Sequence, residues 1–287
     1  MIIGVDIGNS TTCTSENIIF TSKCAKISKQ LNNKEIELNN EKFYVDEGTY
    51  DSEHRKVRKK DYLKFLFTAL CLSTNENKIE LGLGLPLTQF KEDKEDLKSI
   101  IKENYHLNGY YDGEYREFYI TDCEVYPEGV SCVGKNYSGI VIDIGGRTTD
   151  VALVESDGFK SKIINPISFS KGMIGLETEF INVLNGKYGL DLNLDNFDNI
   201  LKNGLSIYGE QQDISFAVDI FKYYLEDLLK EINNNYSLKL YNVLFTGGGS
   251  LVLAKPILNR LKHAKIHPNA LFSNSYSYKK LMEAYLC

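Results

Sequence analysis

Two stretches of this sequence read almost alike. Residues 2–12 (IIGVDIGNSTT) and 139–150 (GIVIDIGGRTTD) each carry an apolar run, then Asp-Ile-Gly, a small or polar residue and a Thr pair, and they stand close to half a chain apart. A repeat on that scale predicts two copies of one folding unit, and 287 residues leave room for two domains of ordinary size. In each copy the apolar run has the length of a buried strand. A Gly-containing corner followed by a Thr-rich segment reads as a hairpin rather than the helix entry of a P-loop, and residues 151–155 continue the second copy in that sense.

Between the copies, residues 59–72 place Leu63, Leu66, Phe67 and Leu70 at helical spacing, 79–85 read as a strand up to Pro86, and 93–102 read as a surface helix. Residues 105–125 alternate around Asn108-Gly109 and Asp112-Gly113, which predicts antiparallel strands joined by tight turns. After the second copy, 160–170 extend the sheet. A helix follows with Leu176, Phe180, Val183 and Leu184 on one face, then a long one with Asp213 as N-cap and Ala217, Val218, Phe221, Leu225, Leu228 and Ile232 as its stripe. Residues 241–246 deliver an apolar strand into Gly247, Gly248, Gly249 and Ser250, followed by a helix through Leu261. A closing helix over 275–286 carries Tyr278, Leu281, Met282 and Tyr285.

The chemistry sits where glycines and acids coincide. Glycine lets backbone N–H groups approach phosphate oxygens, and neighbouring hydroxyls add donors, so the two corners, facing each other, form a clasp for a polyphosphate. The candidate ligands are Asp6, Gly8, Asn9, Ser10, Thr11 and Thr12 from the first copy and Gly145, Gly146, Arg147 and Thr148 from the second. Gly247, Gly248, Gly249 and Ser250, at a strand-to-helix junction, are placed to hold the nucleoside. Asp6 and Asp143 end their strands beside these loops, where carboxylates hold a hydrated Mg²⁺ through water. Glu128 follows Pro127 near the start of an expected crossing helix; it either orients a water or is a first-turn acid favoured by the helix dipole. Glu128 and Asp143 are the candidate catalytic residues.

Other chemistries find less support. His54, His106, His263 and His267 have no ligand spacing, and the six cysteines (13, 24, 71, 123, 132, 287) form no C-x-x-C pair, so they read as reduced structural thiols. A net charge of −6 disfavours a surface that grips nucleic acid directly. The run HRKVRKK at 54–60 reads as the solvated start of a helix, with a DNA or adaptor site as the alternative. No apolar run reaches the ~18 residues that cross a bilayer. The opening residues lack a secretory pattern, so a cytoplasmic protein is expected.

In sequence the chain resembles the actin, sugar-kinase and heat-shock-chaperone ATPase superfamily. VDIGNSTT (5–12) is similar to its first phosphate motif, DIGGRTTD (143–150) to its second, and FTGGGS (245–250) to its adenosine motif. VYPEG (125–129) resembles its first connecting motif, in which the Glu matching Glu128 positions the attacking water. Within the superfamily the motifs look most like those of the plasmid-segregation actins of the ParM type. This resemblance implies an α/β, actin-like fold of two related domains, each with a mixed five-stranded sheet flanked by helices and a nucleotide cleft between them. The expected limits are 1–135 plus 268–287 for the first domain and 136–267 for the second. It further implies a Mg²⁺-dependent ATPase, ATP or GTP serving, whose filaments segregate plasmid DNA through a DNA-bound adaptor and are dismantled on hydrolysis. With a strand read at one end of the sequence and a helix at the other, no amphipathic membrane anchor is expected, and the length is expected to hold little beyond an ATPase core. A soluble small-molecule kinase of the superfamily and another actin-like cytoskeletal role are the alternatives.

Overall fold

A computed structural model of the protein describes residues 1–158 and 160–286; Cys287, one of the expected thiols, lies outside them. The first half begins with seven short strands, β1 (Ile2–Ile7), β2 (Thr11–Thr14), β3 (Ile19–Thr21), β4 (Lys23–Ala25), β5 (Ile36–Leu38), β6 (Glu41–Val45) and β7 (Thr49–Tyr50). Helix α1 (Tyr62–Ser73), β8 (Lys78–Leu85), α2 (Leu87–Glu103), β9 (His106–Tyr111) and β10 (Glu114–Pro127) complete it. The second half opens on β11 (Gly139–Ile144), β12 (Thr149–Ser156) and β13 (Ser161–Phe169), then α3 (Met173–Tyr188) and α4 (Phe197–Asn203). A small ribbon of β14 (Leu205–Ile207) and β15 (Glu210–Gln212) leads into α5 (Ser215–Asn233). Next come β16 (Val243–Thr246), α6 (Gly248–Val252), α7 (Ala254–Arg260), β17 (Lys265–Ile266) and α8 (Ser273–Leu286).

The duplication seen in sequence is a duplication of topology. In the first half the order β3-β2-β1-β8-β10 pairs its first three strands antiparallel and the rest parallel, and β13-β12-β11-β16-β17 repeats that pattern in the second. The second sheet has the expected five strands. The first runs on to ten, because β9, β5, β6, β4 and β7 add an edge lobe. Each sheet has its own core: Ile3, Val5, Leu66, Phe67, Leu83 and Phe118 lie in one, and Ile142, Phe180, Phe221, Leu228 and Phe245 in the other.

Helix α8 returns from the second half to pack on β1 and β8. Its approach is close enough that a Cβ on Gly4 would stand 1.9 Å from the Ser275 carbonyl oxygen, and one on Gly84 1.9 Å from the Tyr278 hydroxyl.

Several local expectations change. The tight turn is Asp112-Gly113, both at positive φ, whereas Asn108-Gly109 lies inside β9, paired with β10 on one side and β5 on the other. There a Cβ on Gly109 would stand 1.9 Å from the Glu37 carbonyl oxygen, so this glycine serves close strand approach and not a turn. Asp213 stands two residues before α5 and accepts the Ser215 N–H at 2.9 Å, while Ile214 is the cap. Val183, Val218, Leu281 and Tyr285 are exposed, being at the margins of stripes whose centres alone are covered. The helix expected through Leu261 is interrupted at Leu253 into α6 and α7. No crossing helix follows Glu128: Gly129 at φ 70° turns the chain into a 3₁₀ turn, Val130–Cys132. Cys13, Cys71 and Cys123 are free thiols that burial pushes up to about 12, so they are inert packing groups. Among the described residues no helix is long and apolar enough to cross a membrane.

Candidate active site

The two hairpins are built alike and meet. Ile7 pairs with Thr12 and Ile144 with Thr149, and each corner is closed by the same bond: the Gly8 N–H donates to the Thr11 carbonyl and the Gly145 N–H to the Thr148 carbonyl, both at 2.9 Å. Their tips touch, since a Cβ on Gly146 would come within 2.4 Å of the Ser10 Cβ. Asp6 and Asp143 hold equivalent registers, one residue before the end of each inner strand.

Asn274, the second residue of α8, joins them. Its Nδ2 donates to Asp6 Oδ2 at 3.1 Å and to Asp143 Oδ2 at 3.2 Å, while its Oδ1 accepts the Gly129 N–H at 2.9 Å. The third loop closes the site from the second half. Gly247 has φ +79°, and a Cβ there would stand 2.2 Å from Asp143 Oδ1, so both conformation and space require glycine.

These segments enclose a cavity of about 380 Å³, within the range of small-molecule sites. Asp6, Gly8, Asn9, Ser10, Thr11, Glu128, Asp143, Gly145, Gly146, Thr148, Gly247, Gly248 and Gly249 line it. Three expected ligands turn elsewhere. Thr12 Oγ1 shares a hydrogen bond of 3.0 Å with Ser22 Oγ, Ser250 Oγ donates to the Gly247 carbonyl at 2.7 Å, and Arg147 Nη2 donates to the Asp51 carbonyl at 2.8 Å.

The charge balance in the cavity is lopsided. Burial pushes the Asp143 carboxyl up to about 7, helped by Asp150 and Asp6. Burial also pushes Glu128 up to about 8, against the pull of Lys56, and raises Asp150. The cation that answers them is Lys56, 1% exposed, whose Nζ ion-pairs with Glu128, reaches Asp6 Oδ1 at 3.1 Å and lies 3.4 Å from the Gly84 carbonyl. Burial opposes the ammonium charge, but the Glu128 and Asp6 carboxylates outweigh it and hold Lys56 protonated. Burial thus holds Asp143, Glu128 and Asp150 toward their neutral forms, and a divalent cation beside Asp6 and Asp143 would favour the ionised ones. Among the described residues no group of three His, Cys, Asp or Glu side chains converges on a metal position. Two oxygen donors, Asp6 and Asp143, fit a Mg²⁺ that keeps most of its water, and not a transition metal.

The run at 54–60 is therefore not a solvated helix start. Lys56–Arg58 form a 3₁₀ turn, in which residues three apart eclipse, so Lys56 and Lys59 point the same way, inward. Lys59 is 7% exposed and donates to the Gly8 carbonyl at 3.3 Å; burial and Lys56 pull its pKa down to about 8. Arg55 turns outward to Asp93 and Glu92. The three-residue spacing of Lys56 and Lys59 was the available signal. Nothing local in the sequence marks Asn274.

Matches to known proteins follow this architecture. Residues 4–130 match the family described as actin like proteins N terminal domain, and residues 141–259 match archaeal actin homologue MreB-like, C-terminal. The chain belongs to the actin-like ATPase superfamily. This actin-like protein has the fold of solved structures along its whole length. The archaeal actin homologue Ta0583 superposes with TM-score 0.81 at 19% identity, covering 99% of both chains, and its ADP complex gives 0.82 at 19% over the same share. A subunit of a 15-stranded ParM filament from Clostridium botulinum gives 0.81 at 16% identity over 99% of both chains. The Alp12 filament gives 0.68 at 21%, covering 100% of this chain and 99% of that one. No curated protein sequence matches the chain.

Proposed function

We propose that this actin-like protein is a filament-forming, Mg²⁺-dependent nucleoside triphosphatase, taking ATP or GTP, that segregates plasmid DNA in the cytoplasm through a DNA-bound adaptor. In this reading hydrolysis times filament disassembly. The observation that carries it is the pair of like-built hairpins facing one another, with Asp6 and Asp143 joined by Asn274 at the base of the cavity. We assign residues 1–135 with 268–287 to one lobe and 136–267 to the other, supported by the packing of α8 on β1 and β8.

Each residue then has a task. Backbone N–H groups of the tips, that of Thr148 among them, and the hydroxyls of Ser10 and Thr11 bind phosphate oxygens, while the Thr148 hydroxyl donates to Asp150 Oδ2 at 3.1 Å and the Gly247–Gly249 backbone lets the nucleoside approach. A bound Mg²⁺ would be held by Asp6 and Asp143 through water and would offset the charge of the phosphates. Glu128 orients a water for in-line attack on the terminal phosphorus; the new P–O bond forms as the bridging P–O bond breaks, and Glu128 accepts the water proton. Lys56, through its ion pair, keeps the Glu128 carboxylate in place.

The experiment is a titration of nucleotide binding and turnover against Mg²⁺ in the unaltered protein and in Asp143→Ala. Turnover that saturates with Mg²⁺ and is lost with weakened binding in the variant supports the reading. Equal activity and equal Mg²⁺ dependence in both overturn it.

A further inference from the structure

Two surfaces outside the nucleotide cavity have complementary chemistry, one in each half of the chain. The first is the outward face of β9 and β10. Side chains alternate across a strand, so Leu107 and Phe118 are buried while Tyr110, Tyr115 and Tyr119 stand exposed on the other side. Tyr110 meets Tyr115 edge to face at 5.6 Å, and His106 stacks on Tyr119 at 4.5 Å. Glu117 accepts the Tyr119 hydroxyl at 3.0 Å and pairs with His106 at 2.8 Å, and Glu37 of β5 is the cross-strand partner of Tyr110. The lysine opposite Glu37, Lys42, is held by Glu35 at 2.7 Å, which leaves this aromatic face with an excess of carboxylate. The second surface is a groove of about 560 Å³ between α5 and α7. Val218, Phe221, Leu225 and Val252 give it an apolar floor, while Lys222, Lys255 and Arg260 outnumber Glu226 along it. Lys222 and Arg260 pair with Asp219 and Glu226, at 2.8 and 3.5 Å, and among the described residues Lys255 has no such partner. The groove shares Val252 with the nucleotide cavity and, among the described residues, no other.

Exposed apolar surface rimmed by charge is what a protein partner covers. Neither surface suits its own copy, since face on face would set carboxylates against carboxylates and groove on groove would set cations against cations. Each suits the other, because tyrosine rings pack on an apolar floor and attract ammonium and guanidinium groups alike. We propose that the tyrosine face of one copy of this chain docks into the α5–α7 groove of the next, with Tyr110 and Tyr115 on the floor and Glu37 and Glu117 beside Lys222, Lys255 and Arg260. The contact joins the first half of one copy to the second half of another. Every pair therefore keeps a free face and a free groove, by which it can be extended. This rests on the reading of the protein as filament-forming and names the surfaces by which its copies meet.

The test reads the protein concentration at which the full-length chain, with ATP and Mg²⁺, begins to form sedimentable polymer. Glu37→Lys on the face and Lys255→Glu in the groove should each raise that concentration about tenfold or more, the effect of losing one interface hot spot, and Tyr115→Ser should do the same. An equimolar mixture of the two charge variants should assemble as the unaltered protein does, because alternating copies set opposite charges against each other at every contact. The double variant should recover for the same reason. Nucleotide affinity and thermal midpoint should be unchanged in both charge variants, since neither residue lines the nucleotide cavity. Single variants that assemble at the unaltered concentration refute the docking alone. A mixture that fails to recover does so too, because the two surfaces then do not face each other. Weakened nucleotide binding in Lys255→Glu would place the groove in the nucleotide site and remove it as a docking surface. If the unaltered protein forms no polymer with ATP or with a non-hydrolysable analogue, the filament reading falls as well.

Discussion

Glu128 sits where its surroundings oppose its charge and one lysine offsets them only in part. Burial pushes its carboxyl up to about 8 even with Lys56 pulling the other way, so the base form gains as pH rises toward 8. Because the proposed role acts on water rather than on the nucleotide, Glu128→Ala should slow hydrolysis by ~10² or more while nucleotide affinity stays within a few-fold. Single-turnover rates beside equilibrium binding check this, and a joint collapse of both would make Glu128 a structural group. A second acid, which lines the same cavity, gives a pH signature of its own. Burial, and then Asp198, push Glu177 from 4.5 up to about 7. A folded-state pKa above the unfolded one means the folded protein binds the extra proton, so the contribution is present below pH 4.5 and is lost as pH rises to about 7. Glu177→Gln should therefore flatten stability over that window and leave the protein more stable than the unaltered form at about pH 8. Denaturant midpoints at about pH 5 and about pH 8 decide it.

At the scale of elements, α8 determines how the first half meets the site. Gly4, Gly82 and Gly84 clear its path, and Asn274 at its start ties Asp6, Asp143 and Gly129 together. Gly84→Ala puts a methyl group against the Tyr278 ring and should cost about 1–3 kcal/mol, the usual range for overpacking. Because the displaced helix carries Asn274, nucleotide affinity should fall with stability; thermal and binding measurements on one preparation test that coupling. The hairpins and the strand before Gly247 were legible in the sequence because strand pattern and turn chemistry are local, and each places its acid or glycines by counting along one element. Lys56 and Asn274 were not, since they reach Asp6 across 50 and 268 residues and their meaning exists only after the chain has folded. Asn108-Gly109 fails for a related reason: its turn-like dipeptide is overridden by a neighbouring strand, β5, that arrives from far away in sequence.

At the scale of the molecule, the two halves are held across the cavity by contacts that a nucleotide would reinforce or loosen. Ser10 and Gly146 touch at the tips, Arg147 reaches Asp51, and Lys23 pairs with Asp195 across the mouth. In the proposed reading a triphosphate clasped by both hairpins adds a shared ligand, loss of its terminal phosphate removes part of it, and the angle between the halves is expected to change with nucleotide state. Head-to-tail contacts that do not close generate open polymers, and a subunit whose shape changes shifts every such contact along the polymer at once. We therefore expect filaments at micromolar protein with ATP and Mg²⁺, seen by light scattering and electron microscopy, and their decay as hydrolysis proceeds. Glu128→Ala filaments should outlast those of the unaltered protein, because the clasp is never released. Scattering that stays flat with ATP and with a non-hydrolysable analogue across a range of salt would remove self-assembly from the account. Filaments that form and decay equally fast in Glu128→Ala would leave assembly standing but separate it from hydrolysis.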